Sequence, residues 1–231
     1  MGINHLQSNQ KIHTLFDSQY FKSLSIGDLN SLKKHSKEVV YRKKEVICKQ
    51  GMPVTNLIFH KSGLVKIGLN GFYKELILRI GSAPAFLGLY SVFGSEAYPY
   101  TITALEKTAV YFIEKNIFMQ IISKNPKFAK EIMADICEQS LSYINQNSNC
   151  IQKQLNGRLA DILLLFARDI YKNHTFSLPV NRNELASFAC TSRESVTRAL
   201  SDLKKDNIIE LHNNNICIKN IKMLEKISKT G

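Results

Sequence analysis

Residues 181–218 read Asn181-Arg182-Asn183-Glu184-Leu185-Ala186-Ser187-Phe188-Ala189-Cys190-Thr191-Ser192-Arg193-Glu194-Ser195-Val196-Thr197-Arg198-Ala199-Leu200, then pass through Leu203 and Lys205 to Ile208-Ile209-Glu210-Leu211-His212-Asn213-Asn214-Asn215-Ile216-Cys217-Ile218. Asn181 with Glu184 three residues on is a capping-box-like start, and Leu185, Ala186 and Phe188 fill a short helix behind it. Ala189-Cys190-Thr191 makes a tight connection. Ser192 then caps a second helix from Arg193 to about Lys205, whose inner face is Val196, Leu200 and Leu203. Small Ala186 and Ala199 let the two helices cross closely, so the segment has the shape of a helix-turn-helix. Two further apolar runs, on either side of the polar tip His212–Asn215, predict a β-hairpin "wing". Its asparagines are either phosphate contacts or plain turn formers.

On the second helix Arg193, Glu194, Thr197 and Arg198 project from one side near the N-terminus. Such a helix reads base edges with its N-terminal residues. Arginine bonds guanine O6 and N7 together, and a glutamate accepts from cytosine N4. Glu194 stands four residues before Arg198 and is placed to orient its guanidinium. The plainer reading is a solvated charged face with an ordinary ion pair.

Working outward, residues 126–154 are helical. Cys137, Leu141, Ile144, Ser148, Ile151 and Leu155 are spaced 4, 3, 4, 3, 4, a heptad seam, with polar Ser148 inside it. Phe128, Ile132, Ile136, Ser140 and Tyr143 form a second stripe. One face then packs on the preceding domain and the other meets a second copy; the alternative is a helix buried within one chain. Asn156-Gly157-Arg158 predicts a break, since Gly weakens a helix by about 1 kcal/mol. Leu159 to Tyr171 is a further buried helix, and 172–180 a loop containing Pro179.

Upstream the period changes. Residues 1–36 carry polar helical segments with Leu15-Phe16, Phe21, Leu24, Leu29 and Leu32 at helical spacing. From 37 to about 113, short apolar runs alternate with glycines, which predicts a β-sandwich or jelly roll; Asn70-Gly71 is its strongest hairpin signal. The fold class is therefore α+β, with a sensor-like β-roll at 1–125, a dimerisation helix at 126–154 and a winged helix-turn-helix at 155–231.

The whole chain has 231 residues and a net charge of +12. The excess points to a polyanionic partner. Yet residues 1–125 hold 16 Lys and Arg against 8 Asp and Glu, whereas 126–231 hold 15 against 11, so most of it lies outside the helix-turn-helix half. Placement, not total charge, supports nucleic-acid reading. The five cysteines are odd in number and form no CxxC, which predicts neither a disulfide framework nor a local zinc site. Cys137 on the seam is either an interchain disulfide partner or a small buried hydrophobe. The N-terminus does not read as a signal peptide or a myristoylation site, and no apolar run is long enough for a membrane span. A reduced cytoplasmic protein is expected. P-loop, GxGxxG, HExxH and GxSxG motifs are missing, so an enzyme is not expected.

The stretch Asn183-Glu184-Leu185-Ala186…Thr191-Ser192-Arg193-Glu194-Ser195-Val196-Thr197-Arg198-Ala199-Leu200…Leu203 resembles the DNA-reading motif of the CRP/FNR superfamily of bacterial transcription regulators. Gly157-Arg158-Leu159-Ala160-Asp161-Ile162-Leu163 resembles the start of that family's C-terminal domain, and the spacing of Gly51, Leu57-Ile58-Phe59, Gly63 and Val65 resembles its cyclic-nucleotide-binding-type β-roll. The resemblance implies a homodimer on double-stranded, palindromic DNA, contact with RNA polymerase, and base reading by Arg193, Glu194 and Arg198, flanked by Ser192 and Thr197. Asn181, Arg182 and Thr191 complete the expected DNA-facing set. Whether it activates or represses stays open.

In cyclic-AMP-binding members a Glu takes the ribose hydroxyl and an Arg the cyclic phosphate. Here Leu89 stands in place of the Glu, and Tyr98-Pro99-Tyr100 in place of the Arg. A buried phosphate without a cation is costly, so cyclic AMP is not expected. An iron–sulfur cluster needs clustered N-terminal cysteines, and the first here is Cys48. Haem stays open, with His5, His13, His35, His60, Met52 and Cys48 as candidate axial ligands. Phe86, Gly88, Leu89, Tyr90, Tyr100 and Thr101 are the candidate pocket for an unknown small effector, or else β-roll filler; Phe93 and Tyr98 belong to the same aromatic run. A regulator without any ligand is the remaining alternative, as is a ligand-binding or scaffold protein that no longer reads DNA.

Overall fold

The computed structural model describes residues 19–71 and 75–231. Leu15-Phe16 and the haem candidates His5 and His13 lie outside them. A short 3-10 turn (Gln19–Phe21) leads into α1 (Ile26–Lys34), whose cap Ser25 forms a reciprocal capping box with Asp28. Among the described residues the roll has eight strands: β1 (Ser36–Tyr41), β2 (Val46–Cys48), β3 (Asn56–Ser62), β4 (Leu64–Asn70), β5 (Glu75–Ser82), β6 (Ala85–Leu87), β7 (Thr101–Ala104) and β8 (Thr108–Glu114). They pair antiparallel as β1-β8-β3-β6 and β2-β7-β4-β5, and α2 (Leu89–Gly94) interrupts them after β6. The β4–β5 hairpin pairs Asn70 with Glu75, so Asn70-Gly71 does open a hairpin, but its loop is longer than the two-residue turn that such a pair favours.

Gly63 shows why glycine punctuates this roll. Its φ is +96°, and a Cβ there would sit 2.6 Å from the Lys107 carbonyl oxygen. Only glycine meets both demands.

The β3 segment Leu57, Ile58, Phe59 and His60 is buried on both faces. Around it Phe21, Phe59, Phe86, Phe118 and Phe128 pack edge to face or tilted, with neighbouring centroids 5.0–6.0 Å apart. This aromatic column joins the N-terminal turn to β3, β6, α3 (Lys115–Lys124) and α4 (Pro126–Gln152). The long α4 starts on Pro126, with the Asn125 side chain accepting from the Phe128 amide. Its stripe Phe128 and Ile132 is buried against the roll, and Ile136 packs beside them.

Beyond α4 the chain departs from expectation at two places. The break falls at Lys153-Gln154, and Asn156-Gly157-Arg158 lies inside α5 (Leu155–Leu164). Gly157 serves close approach rather than a hinge, because a Cβ there would stand 2.6 Å from the Gly231 carbonyl oxygen. Leu155, the last expected seam residue, consequently leaves α4 and packs on the C-terminal core. α5 runs on through a π turn, Leu165–Ile170, and the expected 172–180 loop contains β9 (Thr175–Ser177). α6 (Arg182–Phe188), α7 (Arg193–Lys205), β10 (Ile209–His212), β11 (Asn215–Ile218) and α8 (Ile221–Thr230) complete the C-terminal half. β9 adds to the hairpin, giving the order β10-β11-β9. Leu64, Ile77, Ile80 and Leu105 from the roll are part of this half's core, so the two halves share an apolar interface.

His60 is fully buried, and neither ring nitrogen has a hydrogen-bond partner of normal geometry. Burial holds its pKa down to about 4; the Ser62 backbone offsets this only in part, and the charge on Arg79 lowers it further. The unfolded chain takes up this proton near pH 6.5. Stability is therefore complete above about 6.5 and falls as pH drops towards 4, by roughly 3 kcal/mol from this group. Urea unfolding between pH 7 and 4 is expected to show that loss, and His60→Phe to remove most of the slope. An equal slope in the variant would contradict this assignment.

Candidate nucleic-acid interface

The helix-turn-helix is built from its caps. The Asn181 side-chain oxygen accepts from the Asn183 and Glu184 amides at 2.9 and 3.0 Å, and the Glu184 carboxylate accepts from the Asn181 amide at 2.9 Å. Leu185, Ala186 and Phe188 are buried. Cys190 takes a left-handed φ of 52° in the turn, and the Thr191 amide returns to the Ala186 carbonyl at 3.0 Å. Ser192 caps α7 by accepting from the Ser195 amide at 3.2 Å. Val196, Ala199, Leu200 and Leu203 face inward, while Arg193, Glu194, Thr197 and Arg198 are exposed together.

That exposed face carries free donors and one anion. Glu194 is held below the usual carboxylate range first by its own backbone amide, then by the Ser192 hydroxyl and the charges of Arg193 and Arg198. The expected Glu194–Arg198 contact is not formed; Arg198 instead reaches the Ser195 hydroxyl at 3.5 Å. Its guanidinium is thus almost free to bond elsewhere. The Thr197 hydroxyl donates back to the Arg193 carbonyl at 2.8 Å, which leaves its methyl group and oxygen lone pairs outward. Among the flanking residues, Asn181 and Ser192 are exposed, Thr191 is half-buried, and both Asn181 and Ser192 act as caps.

Arg182 differs from its expected outward role. It is half-buried and donates to the Asn213 carbonyl at 3.0 Å, tying α6 to the wing tip. Asn213 has a φ of 56°, and the Asn214 carbonyl accepts from the Leu178 amide at 2.9 Å. The wing asparagines therefore serve the turn and its anchoring.

The orientation of α6 rests on polar contacts to the roll. The Ser187 hydroxyl accepts from the Ile77 amide at 2.9 Å and donates to the Glu75 carbonyl at 2.6 Å. Buried Lys66 lies 2.5 Å from a Glu75 oxygen and 2.9 Å from one of Glu184. Burial alone lowers the pKa of Lys66, but the two carboxylates outweigh it and hold the ammonium charged. The contacts of α6 to Lys66 and Ile77 were not legible in the sequence, because the partners are more than 100 residues apart.

The cysteines also depart from expectation. Cys150 and Cys190 are disulfide-bonded, with Cα atoms 6.0 Å apart, although the odd count and spacing predicted no such bond. The fold brings the end of α4 against the α6–α7 turn. Cys137 is exposed on the single chain, together with Met133, Leu141, Ile144 and Ile151. Ser148 is half-buried on the same helix. Met133, unremarked in the sequence, extends the stripe one step towards the start of α4.

The expected effector residues are packed rather than open. Phe86 and Leu89 are fully buried, and Tyr100 and Thr101 nearly so. Gly88, with a φ of 85°, turns the chain into α2. Tyr90 donates to the Ile136 carbonyl at 3.1 Å and bonds the Ser140 hydroxyl at 2.9 Å, both on α4. Tyr98 donates to the Asn56 carbonyl, and burial raises the pKa of Tyr98 and Tyr100. Thr101 accepts from the Gln50 amide at 3.1 Å. Leu89 and Tyr98-Pro99-Tyr100 offer neither a carboxylate nor a cation to a ligand at this place. The haem candidates are scattered: His35 bonds Glu114 at 3.3 Å, Met52 is exposed, and Cys48 is buried with its thiol pushed up to about 12. A cleft of about 600 Å³ lies elsewhere, between β5, α4 and α5, with Arg79, Leu141, Arg158 and Asp161 on its walls. Among the described residues no helix is long and apolar enough to cross a membrane.

Residues 38–125 match the cyclic nucleotide-binding domain family, and residues 157–227 the Crp-like helix-turn-helix domain family. The anaerobic regulatory protein of Bacillus subtilis is 24% identical over 216 residues, covering 90% of this chain and 87% of that protein. A probable transcriptional regulator, flp, of Lacticaseibacillus casei is 25% identical over 163 residues, 69% of this chain and 72% of its own. Among solved structures, FixK2 from Bradyrhizobium japonicum aligns with a TM-score of 0.76 at 19% identity, covering 85% of this chain and 98% of that one. A putative regulator of the crp/fnr family from Eubacterium rectale aligns with a TM-score of 0.77 at 20% identity, covering 92% and 100%. With a cyclic-nucleotide-binding-type roll, a long helix and a winged helix-turn-helix in that order, the chain belongs to the CRP/FNR superfamily of transcription regulators.

Proposed function

We propose that this protein is a homodimeric, sequence-specific DNA-binding regulator that does not respond to cyclic AMP. One observation carries the reading: Arg193, Glu194, Thr197 and Arg198 stand exposed together at the capped N-terminal end of α7. α7 enters the major groove with Arg193 and Arg198 donating to guanine and Glu194 accepting from cytosine. The exposed stripe Met133, Cys137, Leu141, Ile144 and Ile151 is covered by a second copy, which places two reading helices on one palindromic duplex. Such a protein works in the cytoplasm, and family membership supports contact with RNA polymerase and a non-enzymatic role. Against cyclic AMP stand the buried Leu89 and the aromatic filling of the cassette.

The test is binding of the purified protein to duplexes that carry its preferred site and single-base variants of it. Arg193→Ala or Arg198→Ala is expected to cost about 1–3 kcal/mol and to flatten the preference at one position of each half-site. Uniform weakening across all variants, with the base preference intact, would show that these arginines touch only phosphates.

A further inference from the structure

The Cys150–Cys190 bond joins the two parts of the molecule whose relative position decides DNA fit. Cys150 stands in the last turn of α4, next to Ile151 of the exposed stripe. Cys190 stands in the turn that delivers α7. The α4–α5 break at Lys153-Gln154 lies between them. Arg158 binds the same three places: its Nε donates to the Ala189 carbonyl at 2.8 Å, and its Nη1 to the carbonyls of Lys153 and Cys150 at 2.5 and 3.4 Å. With the disulfide open, only non-covalent contacts, among them the Arg158 hydrogen bonds and the Lys153–Asp161 ion pair at 2.7 Å, hold the helix-turn-helix half to the end of α4. With it closed, the break is bridged covalently.

We propose that Cys150 and Cys190 form a reversible oxidation site, taking hydrogen peroxide as oxidant, that fixes the recognition helix against the dimerisation helix. The proposal rests on the DNA-reading function above. Cys190 is exposed and half-buried Cys150 lies behind it. Cys190 sits in the turn two residues ahead of Ser192, the cap of the 13-residue α7. The Cys190 thiolate attacks one peroxide oxygen, the O–O bond breaks, and hydroxide leaves and takes a proton to become water. The resulting sulfenic acid is attacked by the Cys150 sulfur; the S–O bond breaks as the S–S bond forms. The second hydroxide leaves with the Cys150 proton as water. Two thiols and one peroxide thus give one disulfide and two waters, and a cellular dithiol reverses the two-electron change. A disulfide in a reducing cytoplasm is usually transient and redox-sensing, which suits a switch better than a staple. Closing the bond removes hinge conformers that cannot bind, so it raises apparent affinity by raising the competent fraction.

The test uses the full chain, reduced with dithiothreitol or oxidised with hydrogen peroxide. Peptide mass mapping reads the linkage, gel shift on the protein's preferred duplex reads affinity, and circular dichroism checks folding. Expected are a Cys150–Cys190 linked peptide only after peroxide and several-fold tighter binding in that state. Cys150→Ser and Cys190→Ser, both folded, are expected to bind like the reduced protein under either condition. Failure to form the linked peptide, or its formation with unchanged affinity, would overturn the switch. A linked peptide with no DNA binding in either state would uphold the redox site and count against the DNA reading instead.

Discussion

Lysines placed together at Leu141 and Ile144 are expected to split the proposed dimer and leave each chain folded. In the single chain these side chains are 60% and 58% exposed, so neither supports the roll or the reader. Their apolar surface leaves water only when a second copy covers it. Each contributes about 1.5–3 kcal/mol on full burial, and two-fold symmetry makes four such side chains per dimer. Since only about 60% of each is left to bury, losing them costs about 4–7 kcal/mol, roughly three to five orders of magnitude in the dissociation constant. Opposed like charges add to that. Sedimentation equilibrium is expected to show monomer where the parent protein is dimeric, with an unchanged circular dichroism spectrum. A palindromic duplex then loses the linkage between its two half-site contacts, so binding weakens steeply as well. A variant that stays dimeric at the same concentrations would place the interface elsewhere.

The second large effect lies in the sensor roll. Phe86→Ala is expected to destabilise the protein by about 3–5 kcal/mol, the cost of removing a fully buried aromatic ring and leaving a cavity. The Phe86 ring lies 5.0–6.0 Å, centroid to centroid, from those of Tyr20, Phe21, Phe59 and Phe118. It therefore holds the N-terminal turn, β3, β6 and α3 together. Against a total stability of about 5–15 kcal/mol, that loss is visible in urea unfolding at neutral pH. The same experiment separates the two readings of the cassette. A residue lining an open effector pocket is cheap to truncate, so a cost below about 1 kcal/mol would favour a pocket over packed core.

The helix-turn-helix was legible in the sequence because its determinants are local. Asn181, Glu184 and Ser192 announce their helices through backbone groups three residues away, and Val196, Leu200 and Leu203 repeat at the helical period. The structure places α7 at Arg193–Lys205, as expected. The alternation of apolar runs and glycines similarly foretold the roll. What escaped the sequence depends on contacts between distant segments. Gly157 read as a hinge, yet it is glycine because Gly231 packs on its Cα, and the chain breaks at the two residues ahead of α5 instead. Cys150 and Cys190 are separated by 40 positions, so no local spacing signals their pairing. Arg182 sits among the DNA-facing candidates by position, but the Asn213 carbonyl draws it to the wing. The aromatic cassette carries the right residue types for either a pocket or a core. Burial decides, and burial is a property of the whole roll.

The central claim is that two copies of α7 read a symmetric site through Arg193, Glu194 and Arg198. Selection of bound sequences from random duplex DNA with the full protein tests it most directly. The predicted result is an inverted repeat whose half-site centres lie about one helical turn, roughly 10 bp, apart, with a G·C pair in each half that Arg198→Ala no longer enriches. Enrichment of no symmetric sequence, or of the same sequence by the Arg198→Ala and Arg193→Ala proteins, would contradict it.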